Sequence, residues 1–379
     1  MKAFPLGTDI HLDEFVEVAE RARRVRLKPE ARAGVRKGRR ALLRAAGEGT
    51  PIYGVNTGFG ELAARRIPPE SIRVLQENLV LSHACGVGDP LSEAEARGML
   101  LLRANEMARG HSGCRPELIE ALAAMLNRGV TPIVPSRGSV GASGDLAPQA
   151  HAALVLLGKG KARYRGRVMS GARALAAAGL KPLRLGAKEG LCLINGTQAM
   201  QAVGGLSLAR AFHVLEAADL AGAMGNEAIK GTPAPYDARV SMLKPHPGQV
   251  RTATRLRRLL RGSQIRESHR FGDYRVQDPY SFRCMPQVHG AAMDALESVR
   301  RTLEIEMRSV TDNPLIDARA VLSGGNFHGA ALALAFDHAA AAMAVLGGIS
   351  ERRIFQVVSG MGPGLPPFWR RIPGWSRGS

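Results

Sequence analysis

Residues 136–149, Ser-Arg-Gly-Ser-Val-Gly-Ala-Ser-Gly-Asp-Leu-Ala-Pro-Gln, bring together the residue types most able to do chemistry. At the centre of this stretch, Ser143 carries a hydroxyl that can leave as water. Gly144 has no side chain to stop its amide nitrogen from folding back on the Ala142 carbonyl. Cyclisation and dehydration of such a tripeptide turn backbone into an electrophile. The ordinary alternative is loop punctuation before a helix, with Asp145 as N-cap. A serine-hydrolase elbow is excluded, because Gly141-Ala142-Ser143-Gly144-Asp145 has Asp where Gly-x-Ser-x-Gly requires its last glycine.

Further segments stand in order along the chain. They are Tyr53-Gly54-Val55-Asn56-Thr57-Gly58-Phe59-Gly60, Leu81-Ser82-His83-Ala84-Cys85-Gly86 and Asn195-Gly196-Thr197. Val276-Gln277-Asp278-Pro279-Tyr280-Ser281-Phe282-Arg283, Ser309-Val310-Thr311-Asp312-Asn313-Pro314 and Gly324-Gly325-Asn326-Phe327-His328-Gly329 follow. Together with residues 136–149 they resemble the motifs of the aromatic amino-acid ammonia-lyases, from about Tyr53 to Arg353. The resemblance implies that Ala142, Ser143 and Gly144 form a methylidene-imidazolone autocatalytically, with no external cofactor. It also implies a fumarase/aspartase-like fold and a homotetramer with shared active sites.

Residue roles follow from the same resemblance, each beside a plainer alternative. Tyr53, otherwise a half-exposed loop ring, is implied as the base that takes the substrate β-proton. His83 follows Leu75 and Leu79 at helical spacing, as a core histidine would. In the family that position faces the substrate side chain, and a histidine there resembles the histidine-specific branch, since imidazole can hydrogen-bond imidazole. Arg283 is implied as the fork for the substrate carboxylate. Tyr280, three residues earlier, is implied as a catalytic neighbour sharing its helical face. Asn195 and Gln277 supply amide groups around the reacting amine, and Phe327 walls the pocket; cap and core are the alternatives for Asn195 and Phe327.

The implied reaction is elimination of ammonia from L-histidine to give trans-urocanate, the first step of histidine degradation. A tyrosine or phenylalanine lyase or aminomutase stays open, because His83 also suits a phenol hydroxyl. An inactive packing subunit is the reading from a different class. His289 and His328 lack a carboxylate or cysteine at ligand spacing, so no metal is expected.

These residues need elements to hold them. Ser92-Glu93-Ala94-Glu95 is a capping box opening a helix through Met99, Leu102 and Met107, and Pro116 starts another that Gly129 ends. Prolines and glycines break Thr131–Gly144 into loop, after which Asp145 caps a helix containing Leu154 and Leu157. The electrophile thus sits at a helix N-terminus, whose partial positive charge favours electron flow into it. A Gly- and Lys-rich connection occupies 158–190, and long helices are predicted over 196–225, 286–311 and 327–358. The expected division is 1–194 as an N-terminal, mostly helical domain, 195–358 as a central bundle, and 359–379 as a tail.

Composition fits this outline. Hydrophobic residues at 45% with only 4% aromatic favour an all-α protein packed through small side chains. No apolar run reaches the roughly 20 residues of a membrane span, and Met1-Lys2-Ala3-Phe4 does not open a signal peptide, so a cytoplasmic chain is expected. Cys85, Cys114, Cys192 and Cys284 form no Cys-x-x-Cys pair. The net charge of +19 raises nucleic acid as a partner, but the arginines lie interleaved with Ala, Gly and Leu at helical spacing, without stacking aromatics. A solvated helix face or inter-subunit contacts are the expectation, with a small-molecule substrate as partner. Family-like sequence ends after Gly364-Leu365-Pro366-Pro367-Phe368. Codons compatible with Trp369–Ser379 give the family's continuation when read one base earlier, so a single-base frameshift and a shortened chain are expected there.

Overall fold

The computed structural model describes residues 2–49, 51–60, 63–272, 275–317 and 320–360. The altered tail after Phe368 lies outside them. In chain order the helices are α1 (Leu12–Ala19), α2 (Pro29–Gly47), α3 (Ile72–His83), α4 (Glu93–Met107), α5 (Pro116–Arg128), α6 (Leu146–Leu156), α7 (Gly171–Ala177) and α8 (Glu189–Ile194). There follow α9 (Gln198–Ala228), α10 (Ala238–Met242), α11 (Pro247–Leu259), α12 (Gln264–Glu267), α13 (Tyr280–Arg283), α14 (Met285–Met307) and α15 (Ala330–Val358). Strands are short and form small ribbons, among them the parallel pair Phe4–Leu6 and Val25–Leu27. The fold is therefore all-α in substance.

Local chemistry explains the boundaries. The Ser92 hydroxyl accepts the Glu95 N–H at 3.2 Å while the Glu95 carboxylate accepts the Ser92 N–H at 2.7 Å, so α4 opens on a closed capping box. Pro116 occupies the first turn of α5, and Gly129 ends it in the left-handed region at φ 73°. The long helix predicted to 311 stops at Met307 instead, because the Thr311 N–H is taken by the buried Glu106 carboxylate at 3.1 Å. Within 158–190, Lys161–Tyr164 pairs antiparallel with Arg167–Ser170 around Arg165-Gly166, both at positive φ. That is a two-residue hairpin with the backbone of a primed turn, hidden in a segment that reads as a connection.

Within the 29-residue α15, an 18-residue window of mean hydropathy 1.7 is long and apolar enough, by length and composition alone, to cross a bilayer, although Asp337 and His338 interrupt its apolar run.

Two compact units divide the chain, with boundaries inside the long helices instead of at Ile194/Asn195. The first comprises 1–207 with 301–334. Its centre is α4, buried on every side from Ala96 to Met107 and packed against α1 and α5. Met99, Leu101 and Met107 are fully buried, each contributing about 1.5–3 kcal/mol. Arg97 spends its buried guanidinium on the C-terminal carbonyls of Val18 and Ala19 in α1 and Leu126 in α5, groups that helix ends leave orphaned. Helices α3, α6 and α8 pack mutually and carry the pocket described below.

Among the described residues, the second unit comprises those of 208–300 with 335–360. Ala223, Tyr236, Leu256 and Met285 form a core cluster in it. His289 is fully buried, with Nδ1 2.7 Å from the Asp219 carboxylate and Nε2 2.9 Å from the Arg353 guanidinium. A neutral ring donating to Asp219 and accepting from Arg353 satisfies both nitrogens. Burial holds its pKa below the usual imidazole value.

Candidate active site

The tripeptide lies in a turn that only glycine fits. Gly144 has φ 76°, and a Cβ there would stand 2.7 Å from the Gly196 carbonyl oxygen and 3.0 Å from its nitrogen. The Asp145 N–H donates to that same carbonyl at 2.7 Å. Asp145 occupies the N-cap position of α6, yet its carboxylate does not cap the helix. It accepts the Ser139 hydroxyl at 2.5 Å and the Met200 N–H at 2.8 Å. The capping role is thus replaced by a tie between the reactive loop and the start of α9. Burial raises the Asp145 pKa against the pull of these donors.

Ser143 itself is exposed, and it lines a cavity of about 540 Å³ together with Tyr53, His83, Asn195 and Phe327. These residues come from the Gly-rich loop, the last position of α3, the residue after α8 and the turn before α15. Leu146, Leu191 and Ile194 supply apolar wall. Tyr53 meets Phe59 edge-on, with ring centroids 5.8 Å apart, and its hydroxyl oxygen accepts the Gly60 N–H at 3.3 Å. The His83 Nδ1 lies 2.8 Å from the Leu79 carbonyl, an acceptor only, so the proton sits on Nδ1 and Nε2 is left as an acceptor.

Two asparagines complete this side of the cavity. The Asn195 amide nitrogen donates to Asp312 Oδ1 at 3.4 Å and to the Asn313 carbonyl at 3.3 Å, so its own oxygen is the atom left for a ligand. Asn313 is the reverse case. Its oxygen accepts the Gly324 N–H at 2.8 Å, which leaves its NH₂ as a donor. Sequence inspection assigned no chemistry to Asn313, although it stands inside the matched Ser309–Pro314 segment.

Behind these residues runs a buried polar layer. Lys188 Nζ donates to Asp312 Oδ2 at 2.6 Å, with both side chains fully buried. Burial depresses the Lys188 pKa, but the Asp312 charge and hydrogen bond outweigh it and leave the ammonium raised. Alongside, Glu106 accepts from the Thr311 hydroxyl at 2.9 Å and from the Gln198 amide, which also donates to the Thr311 oxygen at 2.9 Å. Arg103 pairs with Glu106 at 3.6 Å and donates to Gln198. Burial nonetheless pushes the Glu106 carboxyl up to about 7. No signal in the sequence marked Lys188, a single lysine in a Lys-rich connection.

Gln277, Tyr280 and Arg283 belong to the second unit. There α13 puts the Arg283 guanidinium 4.5 Å from the centroid of the Tyr280 ring. Tyr280 is 72% exposed, and the Arg283 Nε is buried without a hydrogen-bond partner.

The turn at 142–144 fits a group made by backbone cyclisation. Gly144 is held at positive φ against Gly196, Ala142 and Gly144 form a bridge, and Ser143 faces the cavity.

Comparison with known proteins agrees with this geometry. A family profile described as aromatic amino acid lyase matches residues 10–379. A histidine ammonia-lyase of Stigmatella aurantiaca is 51% identical over 374 residues, covering 98% of this chain and 73% of its own. The crystal structure of a tyrosine aminomutase from Streptomyces globisporus superposes with a TM-score of 0.92 at 37% identity, covering 98% of this chain and 74% of that one. The structure of a histidine ammonia-lyase from Trypanosoma cruzi gives a TM-score of 0.88 at 36% identity, covering 97% of this chain and 70% of that one. These likenesses extend over an all-helical, fumarase/aspartase-like architecture, and the chain belongs to the aromatic amino acid lyase family.

Proposed function

We propose that this protein is a carbon–nitrogen lyase that converts L-histidine to trans-urocanate and ammonia. The observation that carries the proposal is His83, whose Nδ1–H is tied to the Leu79 carbonyl so that Nε2 can accept the N–H of an imidazole substrate. Identity of 51% to a histidine ammonia-lyase supports the same substrate. Ala142, Ser143 and Gly144 would hold the methylidene-imidazolone, whose exocyclic carbon supplies an electrophile and electron sink for the departing amine.

The chain's own residues do the remaining work. The Asn195 oxygen accepts from the substrate amine, and the Asn313 NH₂ donates to its carboxylate. Arg283 binds that carboxylate through its planar fork. Tyr53, at the cavity mouth beside Phe59, receives the β-proton. Phe327, Leu191 and Ile194 exclude water from the reacting carbon. Gln277, Tyr280 and Arg283 are supplied by neighbouring copies in a cytoplasmic homotetramer, in keeping with the exposure of Tyr280 on its own chain.

Purified protein offered L-histidine should produce the ultraviolet absorption of urocanate, and Ser143→Ala should not. Intact mass should be lighter than the unmodified sequence by two waters. A second reading, tyrosine lyase or aminomutase chemistry, is favoured by the likeness to a tyrosine aminomutase and by the fact that the His83 Nε2 also accepts a phenol O–H. Turnover of L-tyrosine in preference to L-histidine would establish it. An unmodified mass with no turnover would leave a packing subunit.

A further inference from the structure

We propose that the buried Lys188–Asp312 ion pair is a positioning device that fixes two pocket asparagines in opposite senses, Asn195 as acceptor and Asn313 as donor. The proposal rests on the substrate reading above and extends it to residues that do not touch the cavity.

One carboxylate does both jobs. Asp312 Oδ1 accepts the Asn195 amide at 3.4 Å and the Asn313 backbone N–H at 2.7 Å, while Oδ2 takes the Lys188 ammonium at 2.6 Å. Because a carboxylate only accepts, Asp312, together with the Asn313 carbonyl that its bond to the Asn313 N–H helps to place, fixes which end of the Asn195 amide turns inward, and the oxygen is what remains for the substrate. The backbone bond fixes the Asn313 main chain next to Gly324, whose N–H then holds the Asn313 oxygen. Without the ammonium, Asp312 would be an uncompensated buried charge, which is strongly unfavourable.

The pair is expensive to keep, and that argues for a use beyond stability. Lys188 and Asp312 are both wholly removed from water, a situation in which well-packed apolar residues commonly serve stability as well or better. Lys188 also sits at φ 67°, a backbone conformation that a residue with a Cβ adopts only at a cost. The Cys192 sulfur lies 3.6 Å from the ammonium.

The test separates packing from positioning with the double variant Lys188→Met/Asp312→Leu, which removes both charges and leaves none uncompensated. Melting temperature, intact mass, kinetics and calorimetric binding of urocanate are compared with wild type and with Lys188→Met. We expect Lys188→Met to melt well below wild type and the double variant to recover most of the loss. The double variant should still lose two waters but turn over L-histidine about 100-fold more slowly in kcat/KM. Its affinity for urocanate, which lacks the amine and so reports on the carboxylate side, should fall about tenfold.

A double variant that matches wild type in kcat/KM and urocanate binding overturns the proposal. So does one that melts no higher than Lys188→Met, since the pair would then be structural. Wild-type protein that carries the two-water loss but eliminates ammonia from neither L-histidine nor L-tyrosine overturns the substrate reading, and this proposal with it.

Discussion

Gly144→Ala is the substitution whose cost can be worked most directly from the structure. The backbone at Gly144 has φ 76°, where an L-residue with a Cβ is disfavoured by about 1–2 kcal/mol. The added Cβ would lie 2.7 Å from the Gly196 oxygen and 3.0 Å from the Gly196 nitrogen, both backbone atoms with no rotamer to escape into. Relief requires the two strands of chain to separate, which stretches the 2.7 Å bond from the Asp145 N–H to the same oxygen, worth about 1 kcal/mol. The sum is about 2–3 kcal/mol, or roughly 4–12 °C in melting temperature for a unit of this size. The same displacement moves the Gly144 nitrogen away from the turn it needs for ring closure, so the variant should weigh what its unmodified sequence predicts. Differential scanning calorimetry and intact-mass spectrometry read the two effects separately, and Ser143→Ala is the control that should lose the dehydration without the stability. A Gly144→Ala protein that melts with wild type and still loses two waters would refute the reasoning.

Ser143→Ala itself should lower turnover of L-histidine by at least about 1,000-fold while leaving the melting temperature unchanged, checked by urocanate absorbance and calorimetry. His83→Leu should lower kcat/KM for L-histidine roughly 10- to 100-fold and shift preference toward L-phenylalanine, measured with both amino acids, because Nε2 is the acceptor being removed. For Glu106, burial raises the carboxyl from an ordinary 4.5 to about 7. Between these values the native protein keeps a proton that the unfolded chain has released. Stability should therefore fall as pH rises across that window, by about 3 kcal/mol, and level off above it. Denaturant titrations near pH 5 and near pH 8 check this, with Glu106→Gln expected to flatten the slope. His289→Ala should cost about 3 kcal/mol by opening a buried cavity and removing the ring that bridges the Asp219 carboxylate and the Arg353 guanidinium, read as a lowered denaturation midpoint.

The sequence carried what depends on neighbours along the chain. The Ser92–Glu95 capping box, Pro116 with Gly129, and the runs that became α9, α14 and α15 are local patterns, and each was legible to within a few residues. So was the turn at Ala142–Gly144, where Gly144 takes a positive φ. Where a distant partner intervened, legibility failed. The end of α14 was set by Glu106, some two hundred positions earlier, and the Asp145 carboxylate abandoned its cap for Ser139 and Met200. The Arg165-Gly166 hairpin was missed because its strands carry too few apolar residues to stand out from a connection.

What only the tertiary structure decided is which atoms face the cavity. The family resemblance named His83 and Asn195, but the protonated nitrogen of one and the inward end of the other follow from carbonyls and a carboxylate brought up by packing. Asn313 became a pocket donor only once Gly324 had claimed its oxygen. Lys188 gained significance solely from its burial against Asp312, a contact across more than a hundred residues of chain. Composition and spacing encode what a segment can form by itself. The direction of a hydrogen bond at a cavity wall depends on partners that the linear order does not place together.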